Sequence, residues 1–231
     1  MEANTGHLHH FSPSEIEAAV APVLLQPLTA DTYSLLAGYL RLLTRWNEKM
    51  NLTAVRDPDI LVRLHLAECL RAAQRIPEEV ETVLDFGSGA GFPGVAIQIA
   101  RPELRVTLAE SQKKKASFLR EVVRELGLTG ASIHAARVEE MPSAWVFDLV
   151  TLRAVDKMAE AMQAALPRIR PLPRSRPGWC MVLTSRSEVA SIVAAPGGVS
   201  ASAVPVSIDW LAPEPIPSTN QRVIVLGSRV T

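Results

Sequence analysis

The chain is predicted to be an α/β protein: a doubly wound, mostly parallel, Rossmann-like sheet with a helical extension at its N-terminus. Three observations carry that expectation. From about residue 80 onward, short apolar runs alternate with helical periods, the pattern of strands joined by crossover helices. A glycine cluster, Gly87 to Gly94, directly follows the first of those runs, as a tight strand-to-helix turn requires. Upstream of residue 75 the apolar period is helical.

The first dozen residues read as a polar tail, and its His7, His9 and His10 have no carboxylate or cysteine partner, so no metal is expected there. From Asp31, the expected N-cap, apolar residues recur at Leu36, Leu40, Leu43, Trp46 and Met50, one stripe of an amphipathic helix. A second helix is expected from Asp59, burying Ile60, Leu64, Ala67 and Leu70. This places a boundary near Arg75, with residues 1–75 as tail and helical extension and 76–231 as the Rossmann-like domain. Val83-Leu84, Val106 to Ala109, Ser132 to His134, Phe147 to Leu152, Cys180 to Thr184 and Val223 to Leu226 read as strands. Helices are expected over Lys113 to Leu126 and Met158 to Ala165. Proline-rich stretches, Pro167 to Pro177 and Pro213 to Pro217, read as loops.

Composition narrows the function. Hydrophobic residues make up 48% and charged residues 21% of 231, enough for a packed core. Lysine plus arginine total 24 and aspartate plus glutamate 24, so any hold on nucleic acid must come from a local patch, not bulk charge. Cys69 and Cys180 are too few for a disulfide framework and fit no zinc spacing. With no basic then apolar run after Met1-Glu2-Ala3-Asn4, no signal peptide is expected, and the uncharged stretch Val189 to Ile208 is broken by Pro196-Gly197-Gly198. A soluble, cytoplasmic protein without a membrane partner is expected.

Two ligand classes compete for the segment Asp85-Phe86-Gly87-Ser88-Gly89-Ala90-Gly91-Phe92-Pro93-Gly94. Gly89 to Gly94 satisfies G-x-G-x-x-G, and Glu110 lies near the spacing of a ribose-binding acid, as in an NAD-dependent dehydrogenase. The alternative takes Asp85, Gly87, Gly89 and Gly91 together as a loop for S-adenosylmethionine. That reading accounts for Asp85, whose charge would repel a pyrophosphate but can accept hydrogen bonds or face a cationic amino acid end. Glu110 receives ribose hydroxyls under either reading. Little chain remains for a second substrate domain, so the methyltransferase reading is preferred.

Methyl transfer from a sulfonium requires alignment above all. After the expected fourth strand the chain reads Leu152-Arg153-Ala154-Val155, without the Asn/Asp-Pro-Pro-aromatic run used for exocyclic amines. Cys69 on a helix and Cys180 on a buried strand are expected to be inert packing, which disfavours a pyrimidine carbon. Guanine N7 carries a free lone pair and needs no general base, which accords with the absence of an obvious one.

Trp46-Asn47 with Asn51-Leu52-Thr53, the Gly87 to Gly94 loop, Arg137-Val138-Glu139 and Arg153-Ala154 occur in that order, with a weaker echo at Gln221-Arg222. Together they resemble the bacterial small-subunit ribosomal RNA guanine-N7 methyltransferase G family, also called glucose-inhibited division protein B. The resemblance runs from about Leu36 to about Val155. It implies a class I S-adenosylmethionine-dependent methyltransferase fold and transfer to N7 of one guanine of small-subunit (16S) rRNA near the decoding centre. It also implies that Gly87 and Phe92 touch the cofactor, that Val138 and Glu139 flank its adenine, and that Arg153 completes the pocket. Methyl transfer to a small molecule or a protein is the second reading, and a dehydrogenase the third. The chain departs from the family where His-x-x-Asp-Ser becomes His65-Leu66-Ala67-Glu68-Cys69, and where Leu-Lys-Gly becomes Leu183-Thr184-Ser185. His65, on a largely apolar helix, is expected to be a structural histidine.

The RNA or ribonucleoprotein substrate is expected to meet two basic surfaces. Arg168, Arg170, Arg174 and Arg176 lie in a stretch without acids, and Arg45, Lys49 and Arg56 lie in the N-terminal helices, with Arg222 added by the echo. No catalytic base and no metal ligands are assigned, and a monomer is expected.

Overall fold

The computed structural model describes residues 11–55, 57–154, 157–171, 177–194, 206–217, 219 and 221–230. The described residues open with α1 (Pro13–Val20), a helix just beyond the expected polar tail and without a counterpart among the expected helices. Its start is a capping box: Ser12 Oγ accepts from Glu15 N while the Glu15 carboxylate accepts from Ser12 N. Helix α2 (Ala30–Met50) is capped by Thr29 rather than Asp31, and its buried stripe of Leu36, Leu40 and Leu43 lies where the periodicity places it. Asn51, at φ 48°, ends α2 in the left-handed conformation that asparagine tolerates.

The second helical segment differs from expectation. It begins as α3 (Pro58–Ile60), passes through a π-helical turn at Leu61–Leu66, and continues as α4 (Ala67–Ala73). The widened turn rotates the buried face by about one residue. Ile60 and Leu64 are therefore exposed, at 42% and 36%, and Leu61, Val62 and Leu66 are buried in their place. Ala67 and Leu70 beyond the turn are buried as predicted.

Among the described residues eight strands follow: β1 (Thr82–Phe86), β2 (Arg105–Ala109), β3 (Ala131–His134), β4 (Leu149–Arg153), β5 (Trp179–Ser185), β6 (Ile208–Trp210), β7 (Glu214–Pro215) and β8 (Arg222–Arg229). Between them run α5 (Gly94–Ala100), α6 (Lys113–Glu125), α7 (Met158–Ala165) and α8 (Val189–Val193). The sheet order is β3-β2-β1-β4-β5-β8-β6, with β7 pairing β8 off that path. Strands β1 to β5 pair in parallel, whereas β8 is antiparallel to both β5 and β6. The short β6 and β7 have no counterpart among the expected strands, and β7 falls inside a proline-rich stretch expected to be a loop. A proline suits so brief an edge pairing, since it need not donate to a ladder.

Side chains alternate across the sheet. Val83, Leu108 and Leu149 face one core, which also contains Tyr39, Leu43, Leu66 and Leu70 of the N-terminal helices. Leu84, Val150, Cys180 and Val182 face the other, with Met162 and Ala165 of α7. Each such fully buried leucine contributes roughly 1.5–3 kcal/mol. The extension and the sheet thus share one contiguous core across residue 75. Among the described residues no helix is long and apolar enough to cross a membrane.

The chain order reverses between β1 and β4, which are neighbours in the sheet. In open α/β sheets a crevice opens there, at the carboxyl ends of the strands, and ligands bind in it.

Candidate active site

Strand β1 delivers Asp85 and Phe86 to that crevice, and the glycine loop turns from it into α5. Asp85 is 1% exposed and works beneath the loop. Its Oδ2 accepts from Gly94 N at 3.0 Å and its Oδ1 from the Thr151 hydroxyl on β4 at 3.0 Å. Burial pushes its pKa up to about 6, against those hydrogen bonds. Asp85 therefore positions the loop and does not line the cleft, a correction to its assignment as a cofactor-binding residue. Gly94 must lack a side chain, because a Cβ would lie 2.5 Å from Asp85 Oδ2 and 2.4 Å from Leu108 Cδ2. Gly89, at φ 56°, is different: an added Cβ would meet only the Gly87 carbonyl, at 3.7 Å, and would otherwise occupy the cleft. Gly91 packs inward against Tyr39 rather than toward the cleft. Tyr39 also donates from its hydroxyl to Ala90 O at 2.6 Å and meets Phe92 edge-on at 5.4 Å, so α2 pins the loop.

At the end of β2, Glu110 is 6% exposed; its Oε2 accepts from Gly89 N at 3.0 Å and its Oε1 from Gln112 N at 2.7 Å. It borders a cleft of about 580 Å³ together with Gly87, Gly89, Phe92, His65 and Arg153. An adjoining cleft of about 230 Å³ is lined by Val138, Glu139, Lys157 and Ala161. The two share Phe86, Gly87, Ser111 and Arg137. Of the sequence-assigned cofactor residues, Gly87, Gly89, Phe92, Glu110, Val138, Glu139 and Arg153 are brought together here. Lys115 and His65 also border the larger cleft, although the sequence assigns neither to it.

The Asn47 and Asn51-Leu52-Thr53 motif acquires a structural reason. Asn47 Oδ1 accepts from Thr53 N at 2.9 Å, folding the segment after α2 back so that Leu52 and Thr53 wall the cleft. Across it, Arg153 ends β4, and Ala154 beyond it adopts φ 47°, a strained conformation of the kind that gathers at binding sites. The Arg153 side chain is only 10% exposed. Its Nη2 contacts His65 Nδ1, its Nε lies 3.6 Å from Glu68 Oε1 without a hydrogen bond, and its guanidinium stands 5.7 Å from the Phe92 ring centre. Behind it Arg222 grips the 2% exposed Glu68 with two bonds, Nε to Oε2 at 3.0 Å and Nη2 to Oε1 at 2.6 Å. Burial, then the Arg153 charge, lowers the His65 pKa to about 4, so the imidazole is neutral.

The basic residues assigned to RNA divide sharply. Arg168 is buried and donates to Pro142 O at 2.7 Å, Met141 O at 2.9 Å and Val138 O at 3.0 Å, bracing the wall of the smaller cleft. Arg222 is committed to Glu68, and Arg170 Nε donates to Asp148 Oδ1 at 2.6 Å. Each of these guanidinium groups satisfies a buried acceptor, which engages Arg168 and Arg222 in the fold, whereas Arg170, with a side chain 40% exposed, uses only its Nε in this way. Arg45 remains on the surface in an ion pair with Glu121, and both border a third cleft with Trp46, Lys49 and Met50. Arg56, Arg174 and Arg176, like His7, His9 and His10, lie outside the described residues. Where the family carries a lysine, Thr184 is 2% exposed and donates to Glu188 Oε2 at 2.6 Å.

Cys69 and Cys180 are fully buried, and burial pushes both thiols up, that of Cys180 to about 12. Neither is a nucleophile in this setting. Among the described residues no group of three histidine, cysteine, aspartate or glutamate side chains is placed to hold a metal ion. The antiparallel β8 between β5 and β6 departs from the strand order of dinucleotide-binding sheets, which argues against the dehydrogenase reading.

Comparison with known proteins agrees. Solved structures of like fold include the mitomycin 7-O-methyltransferase MmcR, at TM-score 0.55 and 16% identity over 94% of this chain and 76% of that one. Another is a SAM-dependent methyltransferase from Aquifex aeolicus, at TM-score 0.54 and 16% identity over 78% and 97%. The fold is that of the class I S-adenosylmethionine-dependent methyltransferases. Among sequence relatives, the ribosomal RNA small subunit methyltransferase G of Xanthomonas campestris pv. campestris (strain B100) is 42% identical over 160 residues, 69% of this chain and 74% of that protein. That of Stenotrophomonas maltophilia (strain K279a) is 40% identical over 156 residues, 68% and 67%. The model of the rRNA small subunit methyltransferase G family matches residues 32–177, and the chain belongs to that family.

Proposed function

We propose that this chain transfers a methyl group from S-adenosylmethionine to N7 of a guanine in small-subunit ribosomal RNA. One observation carries the reading: every residue lining the two joined clefts falls inside the span matched by the family model. The cleft residues fit the cofactor. The open side of Gly89 leaves room for a ligand against the backbone. Each Glu110 carboxylate oxygen accepts one backbone N–H and retains a lone pair, suited to the two ribose hydroxyls. Gly87 and Phe92 adjoin the same space, and Val138 with Glu139 provides the wall for adenine. When bound, S-adenosylmethionine supplies an electrophilic methyl on a sulfonium.

The chain's own work is binding, orientation and exclusion of water. Asp85 and Tyr39 fix the glycine loop, and Glu68 with Arg222 fixes Arg153 at the cleft. Guanine N7 attacks through a lone pair that bears no proton, so no residue must remove one. That accords with a cleft holding a neutral His65 and a Glu110 already engaged by two N–H groups. Arg45 and Lys49, exposed on α2, are the described candidates for phosphate contact, with Lys115 at the cleft edge. A ribosomal substrate accords with a cytoplasmic site of action. Incubating the protein and methyl-labelled S-adenosylmethionine with small subunits from cells lacking the enzyme tests the reading. Label in 7-methylguanosine of the small-subunit rRNA is expected, and label elsewhere refutes it.

A further inference from the structure

We propose that the acceptor guanine enters the part of the cleft walled by Leu52, Leu61, Phe92, His65 and Arg153, and that His65 reads its O6 through Nε2–H. The inference rests on the guanine-N7 reading above and assigns the base-binding half of that site. Leu52 and Leu61 come from the N-terminal helical region, while Phe92 and Arg153 come from the loop and β4, so the space lies between the extension and the sheet. Its apolar walls suit a flat ring, and a base reacting at a ring atom must leave its stack to reach an enclosed methyl donor.

The direction of the His65 donor follows from its neighbour. Arginine carries only donors. His65 Nδ1, in contact with Arg153 Nη2, must therefore be the acceptor, which leaves the ring proton on Nε2. The neutrality of the ring agrees, since a second proton would sit on Nδ1 facing a guanidinium. Among the described residues no group takes Nε2, and the ring borders the cleft. Arg153 cannot swing away without losing His65, and its Nε is buried at 3.6 Å from Glu68, which Arg222 holds from behind. Glu68 and Arg222 are thus positioning residues, and His65 is the group that meets the base.

One fixed donor at this place has a chemical use. Guanine presents O6 and N7 side by side as acceptors, whereas adenine presents an N6 amino donor in place of O6. A single N–H aimed at O6 welcomes guanine and opposes adenine. It also leaves the N7 lone pair free, which a bidentate arginine on O6 and N7 would occupy.

The test uses an RNA fragment that the wild-type protein methylates, prepared with guanine, inosine or 2-aminopurine at the acceptor position. Inosine keeps O6 and N7; 2-aminopurine keeps N7 and lacks O6. Wild type should accept inosine within a few-fold of guanine and lose about tenfold or more in kcat/KM on 2-aminopurine, near the upper range for removal of one hydrogen bond. His65→Leu should lose a similar factor on guanine and little further on 2-aminopurine, the coupling expected when both changes remove the same hydrogen bond. His65→Gln, which keeps an N–H donor, should recover part of the guanine rate. Affinity for S-adenosylhomocysteine should stay within about twofold of wild type in both variants, which separates base reading from a collapsed site. Equal wild-type rates on guanine and 2-aminopurine overturn the proposal without any variant. So do losses from His65→Leu and 2-aminopurine that simply multiply. A wild-type protein that methylates no guanine N7 in intact small subunits or in fragments of their rRNA refutes the guanine-N7 reading itself, a result distinct from either of these.

Discussion

Arg222→Met should destabilise the protein, because it strands Glu68. That carboxylate is 2% exposed and accepts both of its strong bonds from Arg222, at 2.6 and 3.0 Å. Removing one partner of a buried ion pair costs about 3–5 kcal/mol when nothing replaces it. Two features reduce the figure here. The Arg222 side chain is 28% exposed, and Arg153 Nε remains 3.6 Å from Glu68. A loss of roughly 2–3 kcal/mol is therefore expected. For a chain of this size about 2–4 °C of Tm accompany each kcal/mol, giving a fall of roughly 4–12 °C. Glu68→Gln alone should cost less, since the amide oxygen still accepts from Arg222 and no charge is stranded. The double variant should be nearly as stable as Glu68→Gln alone. Urea unfolding of all four proteins reads the interaction energy, expected at about 1–3 kcal/mol. Costs that add to within about 0.5 kcal/mol would refute the argument that burial of Glu68 depends on Arg222.

Replacing Glu110 with alanine should weaken S-adenosylhomocysteine binding by about 1–3 kcal/mol in calorimetry, the cost of removing charged hydrogen bonds; unchanged affinity in a folded variant would remove Glu110 from the ribose site. Asp85 has a folded pKa raised to about 6 from an ordinary 3.8, so the folded state holds the proton more tightly than the unfolded one. Its contribution to stability is full below about pH 4 and is lost as pH rises through about 6, a change on the order of 3 kcal/mol. Asp85→Asn should abolish that decline, and unfolding profiles of variant and wild type that stay parallel from pH 4 to 7 would contradict it. Cys69→Ala and Cys180→Ala should keep methyl transfer, measured with labelled cofactor, because both thiols are buried and protonated. Arg45→Gln with Lys49→Gln should flatten the plot of log RNA affinity against log salt by roughly 0.7–0.9 for each phosphate no longer neutralised; an unchanged slope would place the RNA elsewhere.

The strands were legible because their apolar runs are short and bounded by turns, and their central members pair as expected. Helix α7 runs Met158–Ala165, as the period predicts. The second N-terminal helix was legible as a helix but not in its facing, since a π-helical turn leaves no mark on a 3.6-residue pattern until it displaces Ile60 and Leu64 outward. Strand β6, of three residues, is too short to announce itself, and β7 is shorter still and lies in a proline-rich stretch. At the site, glycines and Glu110 are readable from spacing. Asp85, Arg168 and Arg222 mislead because a sequence shows charge but not whether a buried partner consumes it. His65 escapes the sequence for a related reason: its neighbour Arg153 is 88 residues distant along the chain. Only the fold brings the two together.

The central claim is most directly tested by mapping modified nucleosides along the small-subunit rRNA of cells with and without this gene. Mass spectrometry of nuclease fragments should show one 7-methylguanosine present with the gene and replaced by guanosine in its absence. Purified protein with S-adenosylmethionine should then restore it on the deficient subunits. Identical maps from the two strains, or a difference at a base other than guanine, would contradict the account.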